Sequence, residues 1–278
     1  MTKKEKLLTW FLIVVMAVIA FLAISPLLSL LVSSLRPSAE LIRNGITLSI
    51  PWNELSITNY VNMFTNAGNY WTWYINSLLI SGLTIVLSLF FSSMVGYALA
   101  VYKFKGQQFF FILVLLILMV PFEILMLPLY QLMTTLGMID SYIAVILPMI
   151  VAPVAIFFFR QYALGLPKEL MESARMDGCT EYGIFFKVMA PLMLPSFAAM
   201  AILQGLGSWN NFLWPLVVLR SNTMFTLPIG LSTLLTPYGN NYDVLIAGSV
   251  MTVLPVIVLF LFFQRYFISG LAVGGVKG

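Results

Sequence analysis

Glu172–Pro195 reads ESARMDGCTEYGIFFKVMAPLMLP, the one stretch where charge gathers between long apolar runs. It opens on Glu-Ser-Ala and carries a glycine six residues after the glutamate. Two prolines stand at the head of the next apolar run. A chain organised around such a segment keeps a structured, partly charged element at a membrane–water boundary, and such an element persists there only if something grips it.

The rest of the composition agrees. Of 278 residues, 61% are hydrophobic and 9% charged, whereas a water-soluble fold needs a surface with roughly a quarter charged residues. Crossing a bilayer takes about 20 apolar residues. Six runs are long enough, at residues 10–35, 73–101, 109–135, 142–159, 188–219 and 244–264, and only Glu123 places a charge inside one. Open sheets leave backbone groups unsatisfied in lipid, so the expected fold is all-α. It has six transmembrane helices in one domain over residues 1–278, with a loop at about 160–187 between the fourth and fifth spans.

Basic residues set the expected orientation. With the N-terminus inside, Lys3, Lys4, Lys6, Lys103, Lys105, Arg160, Lys168, Arg175, Lys187, Arg265 and Lys277 fall on the cytoplasmic side. Arg36, Arg43 and Arg220 fall outside. Eleven of the fourteen Lys and Arg on one side is a strong positive-inside bias, so both termini are expected in the cytoplasm. The net charge of +4 follows from this topology and points to no nucleic acid. The first run is too long, and too plainly followed by further spans, for a cleaved signal peptide. Cys179 is the single cysteine and lies on the expected reducing side. No soluble domain, low-complexity segment or internal repeat stands out.

The expected external loop, residues 36–72, leads into Tyr70, Trp71, Trp73 and Tyr74, which read as an interfacial aromatic belt. In the third run, Pro121 and Pro128 free backbone carbonyls and kink the helix. Glu123 sits about 14 residues above the inner end, roughly 21 Å up. A carboxylate at that depth faces protein or water, and it reads equally as a path-lining residue or as a structural pair or helix cap. In Gly205–Pro215, GLGSWNNFLWP, Trp209, Asn210 and Asn211 set an aromatic face beside amide groups, the combination that binds sugars. The same residues also suit helix packing with an interfacial aromatic. Thr236–Asp243, TPYGNNYD, has the turn formers of a projecting loop.

Between Arg160 and Lys187 the pattern predicts two short helices. Pro167 suits a first helical position. Leu170, Met171 and Ala174 then share one face, Gly178 is a left-handed terminator, and Thr180 caps a second helix with Glu181 in its first turn. Small Ser173 and Ala174 would allow close approach of another surface. Taken alone, this loop reads as a connector or as a docking element.

ESARMDG followed by IFFKVMAPLMLP resembles the EAA-loop signature of permease subunits in binding-protein-dependent ABC importers. WNNFLWPL (Trp209–Leu216) and QRYFISGLAVGGVKG (Gln264–Gly278) resemble the carbohydrate-uptake, MalG-like branch of that family, and the similarity covers essentially the whole chain. Ser173 replaces the usual middle alanine of the signature and Cys179 another alanine, both small-for-small changes.

The resemblance implies a multi-pass subunit of the bacterial plasma membrane that moves a sugar or oligosaccharide inward. It implies a coupling helix around Glu172–Thr180 seated in a cleft of a cytoplasmic ATPase subunit. Glu172 would make the polar contact, Ser173 and Ala174 would pack into the cleft, Asp177 and Gly178 would shape the turn, and Cys179 and Thr180 would complete the coupling set. The implied partners are a second permease subunit forming a heterodimer, two ABC ATPase subunits and an extracytoplasmic sugar-binding protein reached by Thr236, Pro237, Tyr238, Gly239 and Asn240. The sugar path would pass Glu123, Trp209, Asn210 and Asn211.

The chain has no G-x-x-x-x-G-K-[ST] phosphate loop, so ATP and Mg are expected on the partner ATPases, with no cofactor, metal or catalytic residue here. An ion-coupled secondary transporter is the alternative, but Glu123 is a lone intramembrane carboxylate and no paired half is visible. An intramembrane enzyme lacks visible machinery, with no His and no Ser or Cys beside a base.

Overall fold

The structure is a computed structural model that describes residues 3–37, 52–53, 55–66, 68–236 and 239–275, with side chains described there except at 66, 236, 239–240 and 265–275. Among the described residues the helices run α1 (Lys3–Ser34), α2 (Thr58–Asn66), α3 (Tyr70–Val101), α4 (Gln107–Leu118), α5 (Phe122–Thr135), α6 (Tyr142–Ile146), α7 (Pro153–Leu164), α8 (Glu169–Met176), α9 (Glu181–Ile184), α10 (Ala190–Leu192), α11 (Leu194–Trp209), α12 (Leu213–Val218), α13 (Leu227–Thr233) and α14 (Tyr242–Gly275). A π-helical turn, Phe185–Met189, joins α9 to α10. Among the described residues, strand pairing is confined to a two-residue antiparallel pair, β1 (Leu235–Thr236) with β2 (Gly239–Asn240).

Among the described residues, four helical stretches are long and apolar enough to cross a membrane, Lys3–Ser34, Tyr70–Val101, Tyr142–Leu164 and Tyr242–Gln264. Two bent pairs bring the number to six if each is one span. They are α4 with α5, bent by 102°, and Glu181–Leu192 with α11, bent by 76°. Prolines stand at both breaks. Pro121 has no N–H to donate, and α4 closes ahead of it with tight turns, Met119 N donating to Leu116 O and Val120 N to Ile117 O. Pro191 and Pro195 flank the second bend at Met193.

The chain divides into two compact units. The first comprises residues 1–71 and 230–254. Most of α1 is exposed, and only its last turn, Ser33 and Ser34, is buried. There the buried Asn59 on α2 donates from Nδ2 to Ser34 O at 2.9 Å and Arg36 O at 2.7 Å, while Tyr60 OH and Ser34 Oγ lie 2.8 Å apart. Asn62 Nδ2 donates to Asp243 Oδ2 at 3.1 Å. Tyr70 is fully buried and donates its hydroxyl to Gly248 O at 2.9 Å. A Cβ on Gly248 would come within 2.6 Å of the Tyr70 ring.

The second unit comprises residues 72–229 and 255–278. Along α3 a row of small polar residues turns inward, with Ser77, Ser81, Thr84, Ser88 and Ser92 all buried at helical spacing. Ser77 Oγ accepts from Leu227 N at 2.7 Å and Ser92 Oγ from Ala152 N at 3.1 Å. Trp73 is buried and donates from Nε1 to Asn222 O at 2.8 Å. Tyr70 and Trp73 are therefore interior hydrogen-bonding residues and not members of an interfacial belt.

Two apolar cores fill this unit. One gathers Ile80, Met133, Ala144, Trp214, Val218 and Ile229. The other gathers Tyr97, Phe159, Met171, Ala174, Ile184, Phe185, Met189 and Met193. Close approach of α3 and α7 makes the second core possible: a Cβ on Gly96 would lie 2.7 Å from Ile156 O and 2.8 Å from Phe159 Cβ. Arg160 ties the same region together, with Nε on Leu99 O at 3.2 Å and its guanidinium 3.7 Å from the Phe111 ring centre.

Candidate functional site

The charged element folds as two short helices around a left-handed turn. α7 ends at Leu164, and Pro167 lies two residues ahead of α8 instead of opening it. α8 is amphipathic, with Met171 and Ala174 buried in the second core and Glu172, Ser173, Arg175 and Met176 outward. It closes as a Schellman motif. Gly178 has φ 78°, its N–H donates to Arg175 O at 3.0 Å, and Cys179 N reaches back to Ala174 O at 3.0 Å. A Cβ at Gly178 would touch nothing, so the backbone angle alone asks for glycine, at a cost of about 1–2 kcal/mol to most other residues. Thr180 has extended backbone and its Oγ1 accepts from Gly183 N at 3.2 Å, capping α9.

Glu172, Ser173, Asp177, Gly178, Cys179 and Thr180 are exposed together on one surface. Ala174, expected on the docking face, is turned inward and only 7% exposed. Ser173 spends its hydroxyl locally, donating to Glu169 O at 2.6 Å. Met176, which no motif singles out, stands 88% exposed beside Asp177; its signal in the sequence is a methionine with no apolar partner one turn away on the outward face of α8.

An ion pair that no motif announces holds the two helices in register. Arg175 grips Glu181 with both ends of its fork, Nε to Oε1 at 2.7 Å and Nη2 to Oε2 at 3.1 Å. Tyr102, just past the end of α3, donates its hydroxyl to Glu181 Oε2 at 2.8 Å. The Arg175 hydrogen bonds, then that from Tyr102, hold the Glu181 carboxyl below the usual carboxylate range. Burial and the bond to Glu181 push the Tyr102 phenol up. Both partners of the ion pair are partly exposed, so it adds at most about 1 kcal/mol of stability; its bidentate geometry matters more, because it fixes direction.

The other expected site residues are scattered. Glu123 is exposed in the first turn of α5, immediately after the 102° break, where the helix dipole favours a carboxylate. Trp209 ends α11, largely buried, with the Tyr74 ring edge-on at 5.8 Å. With Leu78, Ser81, Ile85, Gly205 and Leu259 it lines a mainly apolar cleft of about 140 Å³. Asn210 caps α11 and donates from Nδ2 to Leu206 O at 3.1 Å, and Asn211 is half-buried beside it. Trp214, in the same motif, is fully buried and donates to Ala144 O at 3.1 Å.

Thr236 and Gly239 pair across the small β hairpin, with Asn240 opposite Leu235. Pro237 and Tyr238 lie outside the described residues, as do the side chains of Thr236 and Asn240. Among the described residues no group of three or more His, Cys, Asp or Glu is placed to hold a metal.

Residues 89–273 match the family described as "Binding-protein-dependent transport system inner membrane component". The chain is 70% identical to the arabinooligosaccharides transport system permease protein AraQ of Halalkalibacterium halodurans, covering 99% of both chains. It is 63% identical to the Bacillus subtilis protein of the same name, over 94% of this chain and 92% of that one. The lactose transport system permease protein LacG of Rhizobium radiobacter is 33% identical over 95% and 94%. In fold it resembles a chain of a bacterial ABC transporter that imports the acidic polysaccharide alginate, with a TM-score of 0.82, 22% identity and coverage of 96% and 99%.

Proposed function

This chain belongs to the family of binding-protein-dependent transport system inner membrane components, and from that premise we propose that it is the permease subunit through which arabino-oligosaccharides enter the cell. It is a multi-pass membrane protein of a carbohydrate ABC importer. The observation that carries the substrate class is the 70% identity, over nearly all of both chains, to a permease named for arabino-oligosaccharide transport. A cell lacking this chain should fail to accumulate labelled arabinotriose while growing normally on free arabinose, and the intact gene should restore uptake. Undiminished arabinotriose uptake in its absence, or uptake stopped by an uncoupler and indifferent to ATP depletion, would overturn the reading.

The chain works with a second permease of the same kind, two cytoplasmic ATPase subunits that bind ATP and Mg, and an extracytoplasmic sugar receptor. Its termini and the α8–α9 element lie on the cytoplasmic side, a reading supported by the basic residues concentrated there. The docking surface toward the ATPase is the exposed set Glu172, Ser173, Met176, Asp177, Gly178, Cys179 and Thr180. Ala174 backs this surface from inside: its small side chain lets α8 lie close on the core. Met176 supplies the apolar anchor, a flexible thioether able to fit an irregular cleft, and Glu172 the polar contact. The hairpin containing Thr236–Asn240 meets the receptor. Trp209, Asn210, Asn211 and Glu123 contribute to the sugar path. ATP-driven movement of the ATPases acts on transport only in so far as the docked surface binds differently in the two states.

A further inference from the structure

Movement of the docking element must reach the membrane-spanning helices, and the obvious route is the covalent one, up through α10 into α11. That route is mechanically poor in this chain. After α9 the ladder widens into the π-helical turn Phe185–Met189 and then bends by 76° at Met193 before α11 begins, so the straight helical path is interrupted twice.

A second route is direct. Glu181 receives Arg175 from α8 in a bidentate pair at 2.7 and 3.1 Å and Tyr102 from the end of α3 at 2.8 Å. One turn back on α3, the Tyr97 hydroxyl meets Met171 Sδ at 3.5 Å, and the Tyr97 ring packs 5.0 Å from Phe185. Two ties, one polar and one apolar, thus join the same pair of elements. Between them lies a cavity of about 330 Å³ lined by Met94, Tyr97, Ala98, Tyr102, Tyr182 and Phe185 with Glu181. The rings of Tyr97 and Tyr102 meet edge-on across it, with centres 5.8 Å apart.

We propose that Glu181 is a positioning residue, the joint that transmits displacement of the docking element to α3 through Tyr102 in preference to α11. This rests on the docking reading given above. It makes α3 the first helix to respond, and α3 carries the inward polar row Ser77–Ser92 and contributes Leu78, Ser81 and Ile85 to the cleft beside Trp209.

The test uses the complete importer in proteoliposomes with its receptor outside and ATP inside, measuring sugar delivered per ATP hydrolysed and, separately, ATPase subunits retained on purification. Tyr102→Phe removes one hydroxyl, and Glu181→Gln removes the charge that Arg175 clasps. Each should leave ATPase retention intact and lower sugar delivered per ATP roughly fivefold or more, the lower end of a coupling between two sites. The double variant should be no worse than either single one, since both act through one joint. Tyr182→Phe, which changes the same cavity without touching these bonds, should transport normally. Unchanged stoichiometry in both single variants overturns the joint, as do fully additive losses. Loss of ATPase retention in Tyr102→Phe also overturns it, because the residue would then act in docking. Failure of the docking reading shows separately, as an α8 surface that never crosslinks from Cys179 to an ATPase subunit in the unmodified importer.

Discussion

Asp140 has φ 60°, a left-handed conformation that a non-glycine residue adopts only when its side chain is rewarded locally. Its Oδ1 accepts the backbone N–H groups of Arg220 at 2.9 Å and Ser221 at 3.0 Å, and its Oδ2 accepts the Ser221 hydroxyl. Arg220 in turn donates to Tyr130 OH at 2.6 Å. The Ser221 hydroxyl and then the two backbone N–H groups hold the Asp140 carboxyl below the usual carboxylate range. A lowered native pKa means that this latch contributes its full stability above the ordinary carboxylate range and loses it as pH falls through the native value. Asp140→Asn should therefore lower the unfolding temperature of the detergent-solubilised protein at neutral pH, and the gap from the unmodified protein should narrow on acidification; a constant gap would refute the latch. None of this was legible in the sequence, because the partners of Asp140 stand some 80 residues further along. Gly178 and Thr180 were legible for the opposite reason: the Schellman turn and the Thr180 cap are made by neighbours.

At the scale of helices, hydropathy reveals that six runs are long enough to cross a bilayer, and says little about how they break. Proline announced a kink in the third run, but a 102° turn after Met119 is more than a kink and depends on what packs against α5. Periodicity on α3 was hidden for a different reason: serine and threonine scattered in an apolar run look like tolerated polar residues until a neighbouring helix shows which face they share. Glycine is similar. Gly96 and Gly82 are indistinguishable as letters, yet a Cβ at Gly96 meets backbone and core at 2.7–2.8 Å while one at Gly82 meets nothing within 4 Å. Gly96→Ala should consequently destabilise the solubilised protein by about 1–3 kcal/mol through forced separation of α3 and α7, whereas Gly82→Ala should be neutral or slightly stabilising as a better helix former. Equal unfolding temperatures for the two variants would disprove the close α3–α7 packing.

For the molecule as a whole, the sequence made the family legible through ESARMDG and the tail, while burial decided how the element is used. The reading placed Ala174 outward from a motif; the structure turns it into the core and leaves Met176 uncovered, since only the fold reveals which face of an eight-residue helix is spent inside. Reversing the charge at Glu172 should therefore test assembly itself. Glu172→Lys should leave membrane insertion of the chain unchanged and reduce ATPase subunits recovered with it by roughly tenfold, about 1.4 kcal/mol in association. Full recovery of ATPase with Glu172→Lys would place docking elsewhere.

The π-helical turn Phe185–Met189 has a consequence for how this element can vary among genes. A wide turn holds one residue more than an α-helical turn, so it takes up a one-residue surplus locally and leaves the helix before it in phase with the helix after it. Excising one residue there would close an ordinary α-helical turn and keep Glu181 on the side of the Tyr102 hydroxyl. The wide turn is thus a local store of chain length, and a frame-preserving loss of one codon there should leave both the fold and the Tyr102–Glu181 bond in place, whereas the same loss inside α11 would turn one end of that helix against the other by about 100°.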